Sequence, residues 1–301
     1  MARLGILYTV GAYLLWGLFP FYFHALAEVG APELLAHRIV GALVVVSCLL
    51  LCLRRWTWIK QTVGNPRTLR LFLCSSVLIA VNWGIYVYTI VSGRTLEASL
   101  GYFMNPLISV ALGALFLKEK LRQGQKVSVM LAALGVLWIT LSTGSAPYLG
   151  LCLSTSFALY GLLRKIAPLG SLEGLALESL MLMPPALGYL VWLYSQGTLA
   201  MAQADPQTLG LILLAGPVTT VPMLLFAAGV RMIPYSVVGI IQYLSPTIVF
   251  FIGAFCFDEP VSSDLFIGFA FIWTAVLIFA AESYAFLRSR RRLQNDASAQ
   301  S

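Results

Sequence analysis

The sequence predicts an all-α, polytopic membrane protein with ten transmembrane helices in two inverted five-helix repeats. Three observations carry that prediction. Of the 301 residues, 59% are hydrophobic and 10% charged; soluble domains carry about 25% charged residues. That much apolar surface cannot be hidden in one water-soluble core. The apolar residues also fall into runs of the ~20 residues that cross a bilayer core as a helix. Finally, parts of the first half recur in the second.

Each span has its own boundary chemistry. The first, 4–23, follows Arg3 and precedes Ala25-Leu26-Ala27, a pattern resembling a cleavable leader. It is too long for a leader core of ~7–15 apolar residues, so it reads as retained. The second, 32–53, opens at Gly30-Ala31-Pro32, where proline fits the first helical turn. Gly64-Asn65-Pro66 precedes the third, 68–91, and Ser92-Gly93 the fourth, 97–117. The fifth, 125–143, ends at the break from Gly144 to Pro147. The sixth and seventh cover 148–166 and 172–195. Asp205-Pro206 opens the eighth, 207–230; Asp258-Glu259-Pro260 separates the ninth, 235–257, from the tenth, 262–286. The repeats therefore occupy 1–143 and 144–287, and 288–301 reads as a basic, disordered cytoplasmic tail.

Charge sets the orientation. With the amino terminus inside, 17 of the 19 basic residues, Arg164 and Lys165 among them, fall on inner loops with the adjoining span ends or on the carboxyl end. Only Arg94 lies outside, and only Arg38 lies within a span away from its inner end, as the positive-inside rule requires of a chain with both ends cytoplasmic. The net charge of +7 thus anchors topology and meets membrane lipid; it is not a nucleic-acid surface. Cys48, Cys52, Cys74, Cys152 and Cys256 lie in apolar runs without metal-ligand spacing and read as small buried hydrophobes. No metal or cofactor is expected.

The repeat appears at a shift of 140 residues. Pro106 falls on Pro246, Ile108 on Ile248, Gly113 on Gly253, Ala114 on Ala254 and Glu119 on Glu259; Glu33 falls on Glu173. An odd number of spans per copy inverts the second copy in the membrane. Such halves pack about an axis in the membrane plane, with a substrate site near mid-bilayer.

Ionisable groups at membrane depth cost ~2.5–3.5 kcal/mol on insertion scales and face a cavity or a partner. Arg38 and Glu178 are repeat equivalents on opposite sides of the midplane, and a substrate with separated charges could bridge them. His37 stands one helical turn from Glu33, and His37 and Glu178 are the proton-coupling candidates. Trp16, Asn82, Trp83, Tyr102, Asn105, Gln242 and Tyr243 place amides and aromatic rings at helical spacing, the furniture of a wet pocket. Pro106, Pro246, Pro217 and Pro222 break backbone bonds within spans and are candidate hinges; Pro184-Pro185 interrupts the seventh span in the same way.

Several stretches, AYLLWGLFPFYF at 12–23, PELLAHRIVG at 32–41, NW at 82–83, EASLGYFMNPL at 97–107 and IIQYLSPTIVF at 240–250, resemble the drug/metabolite transporter superfamily. Within it they are similar to the EamA group and its RarD-type permeases. The resemblance implies a ten-helix bacterial inner-membrane carrier with two inverted halves. It carries a central cavity onto Trp16, Arg38, Asn82, Trp83, Tyr102, Asn105, Glu178, Gln242 and Tyr243. Members move amino acids, nucleotide sugars or drugs, and the RarD name is associated with chloramphenicol sensitivity. One departure stands out: the Gly-Glu pair after the fourth and ninth spans reads Lys118-Glu119 and Asp258-Glu259 here.

The expected function is a secondary active transporter of a small organic metabolite or drug, working by alternating access and coupled to protons. A channel or lipid scramblase is the alternative. HExxH, GxSxG and GxxxxGK[ST] are all missing, which argues against an enzyme and against ATP as the engine.

Overall fold

A computed structural model describes residues 2–91, 95–142, 148–257 and 262–299, with side chains described for most of these up to residue 286. Every long element is an α-helix, and no strand occurs among the described residues. The first half holds α1 (Ala2–Gly17), α2 (Phe19–His24), α3 (Ala31–Cys52), α4 (Thr57–Val63), α5 (Pro66–Val91), α6 (Thr95–Phe116) and α7 (Gln123–Ser142). The second holds α8 (Tyr148–Ile166), α9 (Ser171–Ser195), α10 (Ala200–Gln203), α11 (Pro206–Leu213), α12 (Ala215–Met232), α13 (Tyr235–Ile241), α14 (Leu244–Cys256) and α15 (Ser263–Ala299). Nine helical stretches among the described residues are long and apolar enough to cross a membrane, and α6 supplies the tenth, apolar over Gly101–Phe116.

The halves pair as an inverted two-fold requires. The packing of α1 on α12 has its counterpart in α8 on α5, that of α1 on α14 in α8 on α6, and that of α3 on α12 in α9 on α5. Each helix that meets its own repeat mate runs antiparallel to it. In the α7–α15 pair, Gly124 lies against Glu282 and Gly135 against Gly268. Glu33, at the start of α3, meets Ala200 and Met201 beyond the end of α9, while Arg55, beyond the end of α3, meets Glu173 at the start of α9. Late in α6, Gly113 lies against Ser236, and Ser109 donates to Gln242 at 3.2 Å.

Three spans are interrupted, each just before a proline whose ring displaces the carbonyl four residues back. The first breaks at Leu18 ahead of Pro20, the eighth at Leu214 ahead of Pro217, and the ninth at Gln242-Tyr243 ahead of Pro246. Three expectations change here. Pro106 lies inside α6, Pro222 inside α12 and Pro184-Pro185 inside α9 without ending any of these helices. Neighbouring helices and local adjustment can satisfy the freed carbonyls.

Other expectations are also revised. All five cysteines are exposed, on the outer surface with Leu115, Phe255 and Leu277; in a membrane chain that surface is lipid, which suits small apolar thiols as well as a core does. Helix α15 continues through Ala299, across the stretch read as a disordered tail, where alanine, arginine and glutamine all favour helix. Lys118 takes the left-handed turn that glycine usually fills, at φ 54°. That turn carries Glu119 back over the end of α6, its amide donating to Gly113 at 3.1 Å. Asp258 and Glu259 lie outside the described residues. At the opposite kind of end, Asp205 caps α11 through the amides of Gln207 and Thr208 at 2.8 and 3.2 Å. The Thr208 bonds, then that of Gln207, hold its carboxyl below the usual range.

Candidate functional site

Arg38 anchors an aromatic corner between the two halves. Its Nε donates to the Thr219 hydroxyl of α12 at 2.9 Å. The guanidinium lies over the rings of Phe19 and Phe23, each at 5.7 Å, and of Trp83 at 5.2 Å. Tyr22, Tyr86 and Tyr102 are within its electrostatic reach. Cation–π contacts are worth ~0.5–2 kcal/mol each, so three rings offset much of the cost of placing Arg38 in the bilayer. Tyr102 packs edge-on to Tyr86 at 6.1 Å and keeps 47% of its surface open. The corner is therefore the wall of an opening rather than a sealed core. Of these groups, sequence reasoning had placed Arg38, Trp83 and Tyr102 in the site. It missed Thr219, Phe19, Tyr22 and Phe23; the latter three belong to the FPFYF segment, where aromatic density was the available signal.

Glu178 stands elsewhere. It is 1% exposed and accepts hydrogen bonds from Ser75 at 2.6 Å and Tyr160 at 3.2 Å. Arg164 faces it at 3.7 Å, equally buried, held also by the Ser171 carbonyl at 3.1 Å and the Phe72 ring at 5.5 Å. This corrects two expectations. Arg164 is not an inner-loop charge: it lies within α8, and burial was concealed by the neighbouring Lys165. The carboxylate of Glu178 is already matched by Arg164, so no substrate is needed to bridge it to Arg38. A small gap lined by Trp83, Thr219, Glu178 and Met223 joins the two corners. It has room for roughly one water molecule, so this part of the path is shut.

The remaining predicted residues divide by use. Asn82 is consumed by helix packing, its amide donating to the Leu153 carbonyl at 2.7 Å and the Ser156 hydroxyl at 3.1 Å. Trp16 packs in an aromatic cluster with Tyr13, Phe157 and Phe226. Asn105, Gln242 and Tyr243 line the α6–α13 seam, where Asn105 Oδ1, Gln242 Nε2 and the Tyr243 hydroxyl are buried without a hydrogen-bond partner. His37 meets Glu33 at 3.4 Å, and both Glu33 oxygens also accept from backbone amides, of Ala200 at 3.1 Å and Met201 at 3.2 Å.

The end of the bundle remote from Arg38 is clasped. Glu119 accepts from the amides of Tyr235 and Ser236 at 2.6 and 2.8 Å, capping α13. Lys165 donates to the carbonyls of Val230 and Ile233 at 3.0 and 2.5 Å, closing the end of α12. Arg231 donates to the Leu169 carbonyl beside them. Both sides of the α12–α13 turn are thus held by charged groups from α8 and from the turn after α6.

Comparison with known proteins bears on the architecture as a whole. The model of the EamA-like transporter family matches twice, over residues 3–141 and 145–281. The chain belongs to that family. The two matches coincide with the two halves that the helix pairing defines. The family member YojE of Bacillus subtilis, named as an uncharacterized transporter, is 44% identical over 95% of this chain and 97% of its own. Protein RarD of Streptomyces exfoliatus is 41% identical over 97% of this chain and 93% of its own. Protein RarD of Escherichia coli is 37% identical over 93% and 95%. A solved crystal structure, 15% identical, matches with a TM-score of 0.67 over 92% of this chain and 97% of that one, which is a likeness of fold. The protein is a multi-pass membrane transporter of the drug/metabolite transporter superfamily, and not an enzyme.

Proposed function

We propose that this transporter is a secondary carrier that moves a small organic solute by alternating access. It resides in the bacterial inner membrane with both termini cytoplasmic. The observation that carries the reading is the unequal shape of equivalent helices. Pro106 and Pro246 hold matching positions in the two halves, yet α6 runs through Pro106 while the ninth span breaks ahead of Pro246. The same local sequence feature has two shapes in one molecule, and exchanging them between halves would open the opposite face.

The orphaned polar atoms support this. Leaving a buried donor or acceptor unpaired costs about 1–3 kcal/mol. Asn105, Gln242 and Tyr243 carry such atoms along one seam. That cost is understandable if the seam is wetted in the other state. With the termini inside, the clasp of Glu119 and Lys165 is cytoplasmic and Arg38 faces an outward opening. A channel would need a path open at both ends, and the shut gap beside Glu178 speaks against it. His37, hydrogen-bonded to the Glu33 that holds the α10 connector, is the proposed proton acceptor.

Reconstitution into proteoliposomes tests the reading, with counterflow measured across a metabolite panel under an imposed proton gradient. A carrier gives saturable flux that responds to the gradient, and His37→Gln removes the gradient response. Flux that never saturates, or none for any compound, defeats it.

A further inference from the structure

The carrier reading leaves the solute's chemistry open, and the charges around Arg38 narrow it. Three described basic groups lie in or against the bundle with a ring beneath them. Arg164 faces Glu178, and Arg122 meets Glu282 at 2.7 Å. Arg38 has no carboxylate within ion-pair distance among the described residues, and its only hydrogen bond to them is from Nε to Thr219. Its two terminal nitrogens are left without a described partner. They present the planar fork that a carboxylate fills with two parallel hydrogen bonds.

The described carboxylates that could compete, Glu33 and Glu178, are occupied. Glu33 is held by two backbone amides and by His37. Glu178 is held by Ser75, Tyr160 and Arg164. The rings of Phe19, Phe23 and Trp83 wall the guanidinium, and Tyr102 borders the opening beside them.

We propose that Arg38 is the anchor for a carboxylate on the transported solute, and that the site selects organic monoanions with a ring-sized apolar body. This rests on the carrier reading and specifies its substrate class. A neutral solute would leave the guanidinium without a counter-charge. A zwitterion would bring an ammonium for which no free carboxylate stands near among the described residues. An apolar carboxylate satisfies both the charge and the ring walls.

The test uses the purified full chain in nanodiscs and three probes of similar shape: phenylacetate, its neutral isostere phenylacetamide, and zwitterionic phenylalanine. Binding is followed by thermal shift and by tryptophan fluorescence at fixed ionic strength. Phenylacetate is expected to bind saturably and at least ~10-fold more tightly than either analogue, the scale of one lost charge-assisted contact. Arg38→Gln is expected to abolish that preference and Arg38→Lys to retain part of it, so a folding defect in one variant does not end the test. The proposal is overturned if either analogue matches phenylacetate, if Arg38→Gln binds phenylacetate unchanged, or if none of the three binds. Flux separates the two claims. Selective binding without transport leaves the anion site and removes the carrier; saturable transport of neutral solutes alone leaves the carrier and removes the anion site.

Discussion

Single residues in this bundle are governed by whether a buried charge finds its partner. Arg164 and Glu178 are each 1% exposed, so neither can fall back on water if the other is lost. Removing one member of such a pair typically costs ~3–5 kcal/mol, while replacing both with apolar groups is often nearly neutral. Arg164→Met and Glu178→Leu alone should each lower the unfolding free energy in detergent by roughly that amount, and the double variant by clearly less than either. Additive losses would show that the two do not act as a pair. Glu178 was legible in the sequence as a charge at membrane depth, but its partner was not. Fourteen residues separate them across two helices, and Arg164 adjoins Lys165, which makes the pair look like an ordinary connector. Lys118 shows the converse. Its departure from glycine was visible, and the structure keeps the glycine-like turn at φ 54°. For an L-residue that backbone costs roughly 1–2 kcal/mol, a local strain that supports the placement of Glu119.

Helices meet through small residues, because lipid offers no hydrophobic incentive for association and close backbone approach must supply it. The tightest such contact near the site joins α3 to α12, just past the break at Leu214. A Cβ on Gly41 would lie 2.8 Å from the Gly216 Cα and 2.9 Å from its amide nitrogen, backbone atoms that cannot rotate away. Gly41→Ala must therefore push α3, and Arg38 with it, away from Thr219. It should destabilise the chain by about 1–3 kcal/mol, as overpacking does, and reduce transport. Gly11→Ala is the matched control, since its Cβ would meet only the Leu225 side chain at 3.5 Å. Equal thermal stability and transport in the two variants would refute this account of the contact. Helix positions were readable from turn residues and apolar length to within a few residues. Which prolines interrupt a span was not readable, because that depends on whether neighbouring helices and backbone adjustment satisfy the freed carbonyl. Pro222 and Pro246 look alike in sequence, yet only the second follows a break.

For the whole molecule, the inverted repeat was accessible from an odd number of spans and a handful of matched residues, and the antiparallel mate pairs agree with it. The state of the molecule was not accessible, since one sequence serves every state of the cycle. In the present one, Glu119 and Lys165 close one end while Tyr102 borders an opening at the other. The central claim is that the Arg38 corner faces one side of the membrane at a time. The five native cysteines are exposed and must first be replaced. The decisive measurement is then the reaction rate of a single thiol at Tyr102→Cys with a membrane-impermeant reagent added from either face of oriented vesicles. The account predicts labelling from the outer face at rest, and a shift towards the inner face when Glu119→Gln weakens the clasp. Equal labelling from both faces in the same state would contradict it.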